Sequence, residues 1–220
     1  MKTEIGCGVV AGPGFVVAFT VLGARRAGYD WRRHAVSSLA VGREGCGQRA
    51  NFMLVGGLYC VSACGLARSS SRVVGPAMVP ALVFAAGLGL IGAGVFVTDP
   101  VAGFPPEHAE AGAGTAVAEV VPSRRGQLHN LCAIPVFLGL PVAALLAAGS
   151  AGRRREYRWA AYCAASAIGM ASTCALFGAA FGGAPTLAPR GGLFQRLSIA
   201  TGFGWLSALS FRALRPPSQS

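Results

Sequence analysis

Runs of about 20 mostly apolar residues, the length that crosses a bilayer as a helix, recur along nearly the whole 220-residue chain. They leave little sequence for a separate soluble domain. Composition agrees: 53% of residues are hydrophobic and only 12% are charged, too few to solvate an ordinary globular surface. The predicted fold is an all-α polytopic membrane protein, a six-transmembrane-helix bundle. It forms a single membrane domain over residues 1–214, with a Pro/Ser-rich tail over 215–220 predicted to be disordered.

The six predicted spans are Ile5–Ala24, with Pro13 as a kink; Ala50–Ala67; Val73–Val97; Leu128–Ala148; Trp159–Phe181; and Leu193–Leu214. The third carries Gly75, Gly87, Gly89, Gly92 and Gly94, small residues that allow close helix approach in lipid. The first apolar segment reads as a retained anchor, because no small-x-small cleavage site followed by a soluble domain is present.

Two long loops, 25–49 and 98–127, fall on one side of the predicted bundle, and the short connections 68–72 and 150–158 fall on the other, with both termini. Basic residues are almost evenly divided between the two sides. The compact RRREYR cluster favours the termini inside, so the expected placement is multi-pass in the cell (plasma) membrane with cytoplasmic termini. The acids Asp30, Glu44, Asp99, Glu107, Glu110 and Glu119 gather on the opposite face.

A formal charge of +11 raises nucleic acid as a partner, but the arginines lie in short clusters between apolar runs without an aromatic-basic pattern. The expected partners are membrane lipids, anionic headgroups among them, with no nucleic acid. Arginine outnumbers lysine 18 to 1, which fits a GC-rich coding bias as well as a functional need. The seven cysteines show no zinc-type spacing, and five of them fall inside apolar runs; Cys46, in a loop, is the one most open to oxidation. No metal and no cofactor is expected.

Four polar stretches are candidates for chemistry. In YDWRRHAVSSLAVG (29–42), Tyr29 and Trp31 suit the headgroup level and the arginines suit lipid phosphate. His34 beside Ser37 and Ser38 evokes a base and nucleophile, but no nucleophile elbow accompanies them, and a capped loop is the plainer reading. In TDP (98–100) the proline after Asp99 ends the helix. A carboxylate at a membrane boundary is costly, and three roles stay open for it: ion pair with an arginine, proton carrier, or cation ligand. In GQLHN (126–130), His129 re-enters the membrane on the same face as Asp99, where it serves either as a hydrogen-bonded partner of Asp99 or as a proton shuttle. In GGLFQRLSIATGFGWL (191–206), Arg196 sits one turn inside the sixth span and needs a partner, for which Asp99 is the evident choice. Asp99, His129 and Arg196 are thus expected to converge at one membrane face.

Taken in order, YDWRRHAVSSLAVGREGCGQRANFMLVGGLY, GLGLIGAGVFVTDPVAGFPP, GQLHNLCAIPVFLGLP and GLFQRLSIATGFGWL resemble the bacterial integral membrane family catalogued as domain of unknown function number 998, in its actinobacterial form. That family is distantly similar to the Frag1/DRAM/Sfk1 membrane proteins. The resemblance spans nearly the whole chain and implies a six-span bundle without an established reaction. The chain departs from the family in lacking a tryptophan at or beside Cys46, in carrying Asn130 where an aspartate commonly follows the histidine, and in a longer 107–125 insert.

Two functions follow as expectations. One is a membrane protein that binds a lipid or small amphiphile at its outer-face polar cluster, through Arg196, His34, Trp31 and Asn51. The other is a small membrane enzyme on an isoprenoid or terpenoid substrate, such as a cyclase, with Asp99, His129 or Glu107 giving or taking a proton. Secondary transport ranks last, since the spans carry almost no midplane charge. An enzyme should hold an enclosed cavity below the Asp99–His129 face, lined by Phe, Trp and Tyr; a packing scaffold should fill that space.

Overall fold

The computed structural model describes residues 1–69, 71–101, 103–105 and 123–215. Among them there are six long helices: α1 Lys2–Arg25, α2 Cys46–Arg68, α3 Met78–Val95, α4 Arg124–Arg153, α5 Tyr157–Phe181 and α6 Gly191–Leu214. The segments containing α1 to α5 are long and apolar enough to cross a membrane, and the protein is an integral, multi-pass, all-helical membrane protein.

α6 has the length, at 24 residues, but is too polar to count by composition. The reason is its position. It packs along α1 on one side and α5 on the other, so Phe203, Trp205, Leu206 and Leu209 are enclosed by protein. Gln195, Ser198 and Ser210 are buried on the same helix and meet protein rather than lipid: the Val36 N–H of the first loop, Met170 O of α5 and Ser62 of α2. A helix wrapped by its neighbours can carry polar groups that a lipid-facing helix cannot.

Glu4 of α1 pairs with Arg68 at the end of α2 at 2.9 Å, and Glu156 before α5 pairs with Arg212 near the end of α6 at 2.6 Å. The beginning of α1 also meets Ser62 and Ser210 around Gly8. The helices therefore alternate in direction. The start of α1 and the end of α6 lie with the short connections on one side, the terminal side, and the segments 26–45, 96–101 and 103–105 lie on the other, the loop side.

Two boundaries differ from the sequence reading for local reasons. The expected Val73–Val97 helix is broken: Ser71–Val74 is a single helical turn, and Gly75, at φ +104°, turns the chain before α3 starts at Met78. Only glycine enters that region without strain. α4 is longer than expected and contains a wide turn, Pro135–Gly139, where the proline has no N–H for the ladder. Pro13 sits inside α1, which continues helically to Arg25. The expected disordered tail falls on 216–220, outside the described residues.

Candidate functional site

On the loop side the six helices do not close. They leave a cavity of about 670 Å³, to which every one contributes: Phe15 from α1, Phe52 from α2, Leu90 and Ala93 from α3, His129, Ala133, Ile134 and Val136 to Leu138 among others from α4, Cys174, Phe177 and Phe181 from α5, and Gln195, Ile199 and Phe203 from α6. The gap originates between α4 and α5. The Leu140–Arg153 half of α4 packs closely along α5, and the two diverge beyond the wide turn, where Phe137 still meets Phe177 edge-on at 4.8 Å. Ile134 and Leu138 line the cavity yet are 47% and 59% exposed, so its rim reaches the lipid-facing surface.

One end of this apolar space is polar, lined by Ser37, Thr98, Asp99, His129 and Asn130. His129 is buried, and its Nδ1 donates to the carbonyl oxygens of Phe96 at 2.8 Å and Ala93 at 3.2 Å. Those are carbonyls that the end of α3 leaves without helical partners. A carbonyl can only accept, so Nδ1 carries the hydrogen, and in the neutral ring Nε2 is then an acceptor. Asp99 accepts from the Ser123 N–H at 2.9 Å and the Ser123 hydroxyl at 2.6 Å, while the Ser123 hydroxyl oxygen accepts from the Gly126 N–H at 3.0 Å. Asp99 thus reinforces the cap of α4, where the helix dipole favours an anion.

Beside the cavity, α6 holds the first loop. Arg196 donates to the carbonyl oxygens of Trp31 at 2.7 Å and His34 at 3.2 Å and to the Tyr29 hydroxyl, and it lies over the rings of Phe19 and Tyr29. The Tyr29 hydroxyl donates onward to Ala35 O at 3.0 Å. Burial pushes the Tyr29 phenol above its ordinary range, against the opposing effect of Arg196. The amide N–H groups of Gly192 and Leu193 donate to Arg33 O and Arg32 O, so loop carbonyls cap α6. Gln195 Oε1 accepts from the Val36 N–H at 2.7 Å and fixes the segment Ala35 to Ser37 as part of the cavity wall. Phe104, fully buried, packs between the rings of Tyr29 and His34 and under Arg26, tying the segment after Asp99 to the same loop.

Residues 9–212 match the family described as Protein of unknown function (DUF998). The chain belongs to this family. No curated protein and no solved structure matches it, so DUF998 membership carries no reaction or ligand with it.

Asp99 and His129 share the cavity of this DUF998 protein, as the sequence led one to expect, but two of the expected pairings are not the ones formed. Arg196 does not pair with Asp99; its guanidinium is spent on the Tyr29–His34 loop, because it projects from α6 toward that loop while Asp99 turns to the α4 cap. His129 is not hydrogen-bonded to Asp99 but to the end of α3, whose bare carbonyls lie directly against it. The other named residues stand outside the lining. Trp31 is 48% exposed, with Arg32 over its ring. His34 is buried, and its Nδ1 accepts from the Asp30 N–H at 2.9 Å. Asn51 is buried, with its amide donating to Phe15 O and Gln48 Oε1. Glu107 lies outside the described residues. The large aromatic side chains of the cavity wall are phenylalanines, with no Trp or Tyr among the described lining.

Sequence reading missed Ser123, Gln195 and Phe104. Ser123 was the most legible, a serine just before a helix start; Phe104 gave no signal, since a lone aromatic in a loop has no period to read. Replacing Ser123 by alanine should lower unfolding stability by about 1–2 kcal/mol, because it removes both the cap and a donor to Asp99. Thermal melts of the detergent-solubilised variant test this, and an unchanged melt would refute the capping role.

Proposed function

We propose that this protein binds a lipid or other small amphiphile drawn from the bilayer, with its tail between the helices and its polar head at the Asp99, His129 and Asn130 end. The cavity carries this reading. A packing scaffold would fill such a space to ordinary interior density; here six phenylalanines wall it and a few hydrogen-bonding groups stand at one end, the make-up of a small-molecule site. The rim at Ile134 and Leu138 supplies a route from lipid.

Native mass spectrometry of the protein in detergent tests this. Wild type should carry an amphiphile adduct, and Ala133→Trp, which fills the cavity from its α4 wall, should lose it. An adduct that persists in Ala133→Trp, or an unliganded wild type that the substitution merely stabilises, would refute the reading.

A second reading is acid–base chemistry on an isoprenoid or terpenoid, such as a cyclisation. One observation favours it: His129 keeps a ring nitrogen outside its bonds to α3, within a mostly apolar cavity. Conversion of a bound isoprenoid to a product of altered chromatographic retention would support it, and binding without conversion would sink it.

In the same reading α6 is a sixth crossing, the membrane is the plasma membrane of an actinobacterial-type cell, and the termini are cytoplasmic with the cavity near the outer face. Cys46, exposed on the loop side, should then react with a membrane-impermeant maleimide in intact cells. Labelling only after lysis would invert the orientation.

A further inference from the structure

The cavity's size and charge narrow the identity of its occupant, an inference that rests on the amphiphile-binding function. At about 30 Å³ for each water-sized unit, 670 Å³ holds roughly 20 non-hydrogen atoms. One fatty or isoprenoid chain with a small head fills it; a two-tailed phospholipid would leave a tail outside, in the bilayer.

The head is constrained by what lines the polar end. Among the described lining residues there is no Arg or Lys, and Asp99 is the only charged side chain. A phosphate or carboxylate head would enter without a cation and beside an anion, and burying an unpaired charge is far costlier than burying a neutral polar group. The charge of Asp99 is already met by two Ser123 donors and by the positive end of the α4 dipole, so a cationic head gains less there than it would from an unpartnered carboxylate. A neutral donor finds His129, whose Nδ1–H is committed to α3 and whose Nε2 remains as an acceptor.

We infer that the occupant is a single-chain, uncharged amphiphile with a hydroxyl head, a long-chain or isoprenoid alcohol, whose hydroxyl donates to His129 Nε2 while its chain lies against Phe137, Phe177 and Phe203. Ligand reaches the site sideways from the bilayer, past Ile134 and Leu138.

Cys174 lies in the cavity wall and Cys46 is exposed on the loop side, which supplies a probe and a control within one chain. The experiment measures the rate of N-ethylmaleimide modification at each cysteine by peptide mass spectrometry, in detergent, with farnesol, farnesyl phosphate, farnesylamine or a diacyl phosphatidylglycerol added. Farnesol should protect Cys174 and leave Cys46 unaffected, and the other three should not protect at the same concentration.

His129→Asn is the informative variant. The Asn amide nitrogen can occupy the place of Nδ1 and keep the bonds to α3, but it offers nothing at the place of Nε2. About tenfold more farnesol should be needed for equal protection, the worth of one hydrogen bond at the upper end of its usual range. Equal protection in His129→Asn would overturn the hydroxyl contact, and protection by the phosphate, the amine or the diacyl lipid would overturn the neutral single-chain assignment; both outcomes leave an amphiphile cavity standing. If no amphiphile protects Cys174, and Ala133→Trp does not slow its labelling either, the cavity reading falls with it.

Discussion

Replacing Arg196 by methionine should lower the apparent melting temperature in detergent by about 10 °C. The guanidinium donates to Trp31 O, His34 O and the Tyr29 hydroxyl from one rigid fork, and hydrogen bonds to a charged group contribute about 1.5–3 kcal/mol each when their partners are left without replacement. Solvent reaches part of this half-buried site, so a total near 3 kcal/mol is the reasonable estimate, and at roughly 2–4 °C per kcal/mol for a chain of this size that gives the stated shift. Lysine should restore less than half of it. A single ammonium cannot reach the Trp31 carbonyl and the Tyr29 hydroxyl together, nor stack on Phe19 and Tyr29 as a planar group does. Arg32→Ala should be nearly neutral, since Arg32 stacks only on the exposed ring of Trp31. The measurement is a melt followed by reaction of the buried Cys163 thiol. A methionine variant within 2 °C or so of wild type would mean that the loop holds itself.

The second large effect is expected where α2 and α3 meet. A side-chain carbon added at Gly56 would meet Gly87 O and Ile91 N, and one added at Gly87 would meet Gly56 O and Cys60 N. The two backbones touch with nothing between them. Because lipid offers no hydrophobic drive for helices to associate, this close approach is itself a large part of what holds the pair. Gly87→Val should therefore cost about 3 kcal/mol, at the upper end for overpacking, since backbone cannot yield as a flexible side chain would. Gly57→Val is the matched control: no atom lies within contact distance of an added carbon there, and the change should stay within about 0.5 kcal/mol. Equal melting temperatures for the two variants would refute glycine-mediated packing at this interface.

Much of this arrangement was legible from the chain alone. The density of glycine in the third span announced close packing, and Gly87 and Gly94 are in contact with α2 as that density implied. The TDP stop placed Asp99 just past a helix end, and α3 does end at Val95. His129 was placed near it correctly, because one loop returns the chain to the same side.

What hydropathy and spacing determined was the set of apolar segments, their alternation across the bilayer and the side on which the polar residues gather. Those depend on one-dimensional quantities: the length needed to cross hydrocarbon and the cost of leaving a charge within it. Which polar groups touch was decided only by tertiary structure. Hydrogen bonds form over about 3 Å, and a rotation of a helix by one residue carries a side chain from one neighbour to another. So Arg196 meets the Tyr29 loop rather than Asp99, Asp99 meets Ser123, and His129 meets the end of α3. The cavity belongs to the same category: it exists because α4 widens at Pro135 and parts from α5, and no single segment encodes the space between six helices.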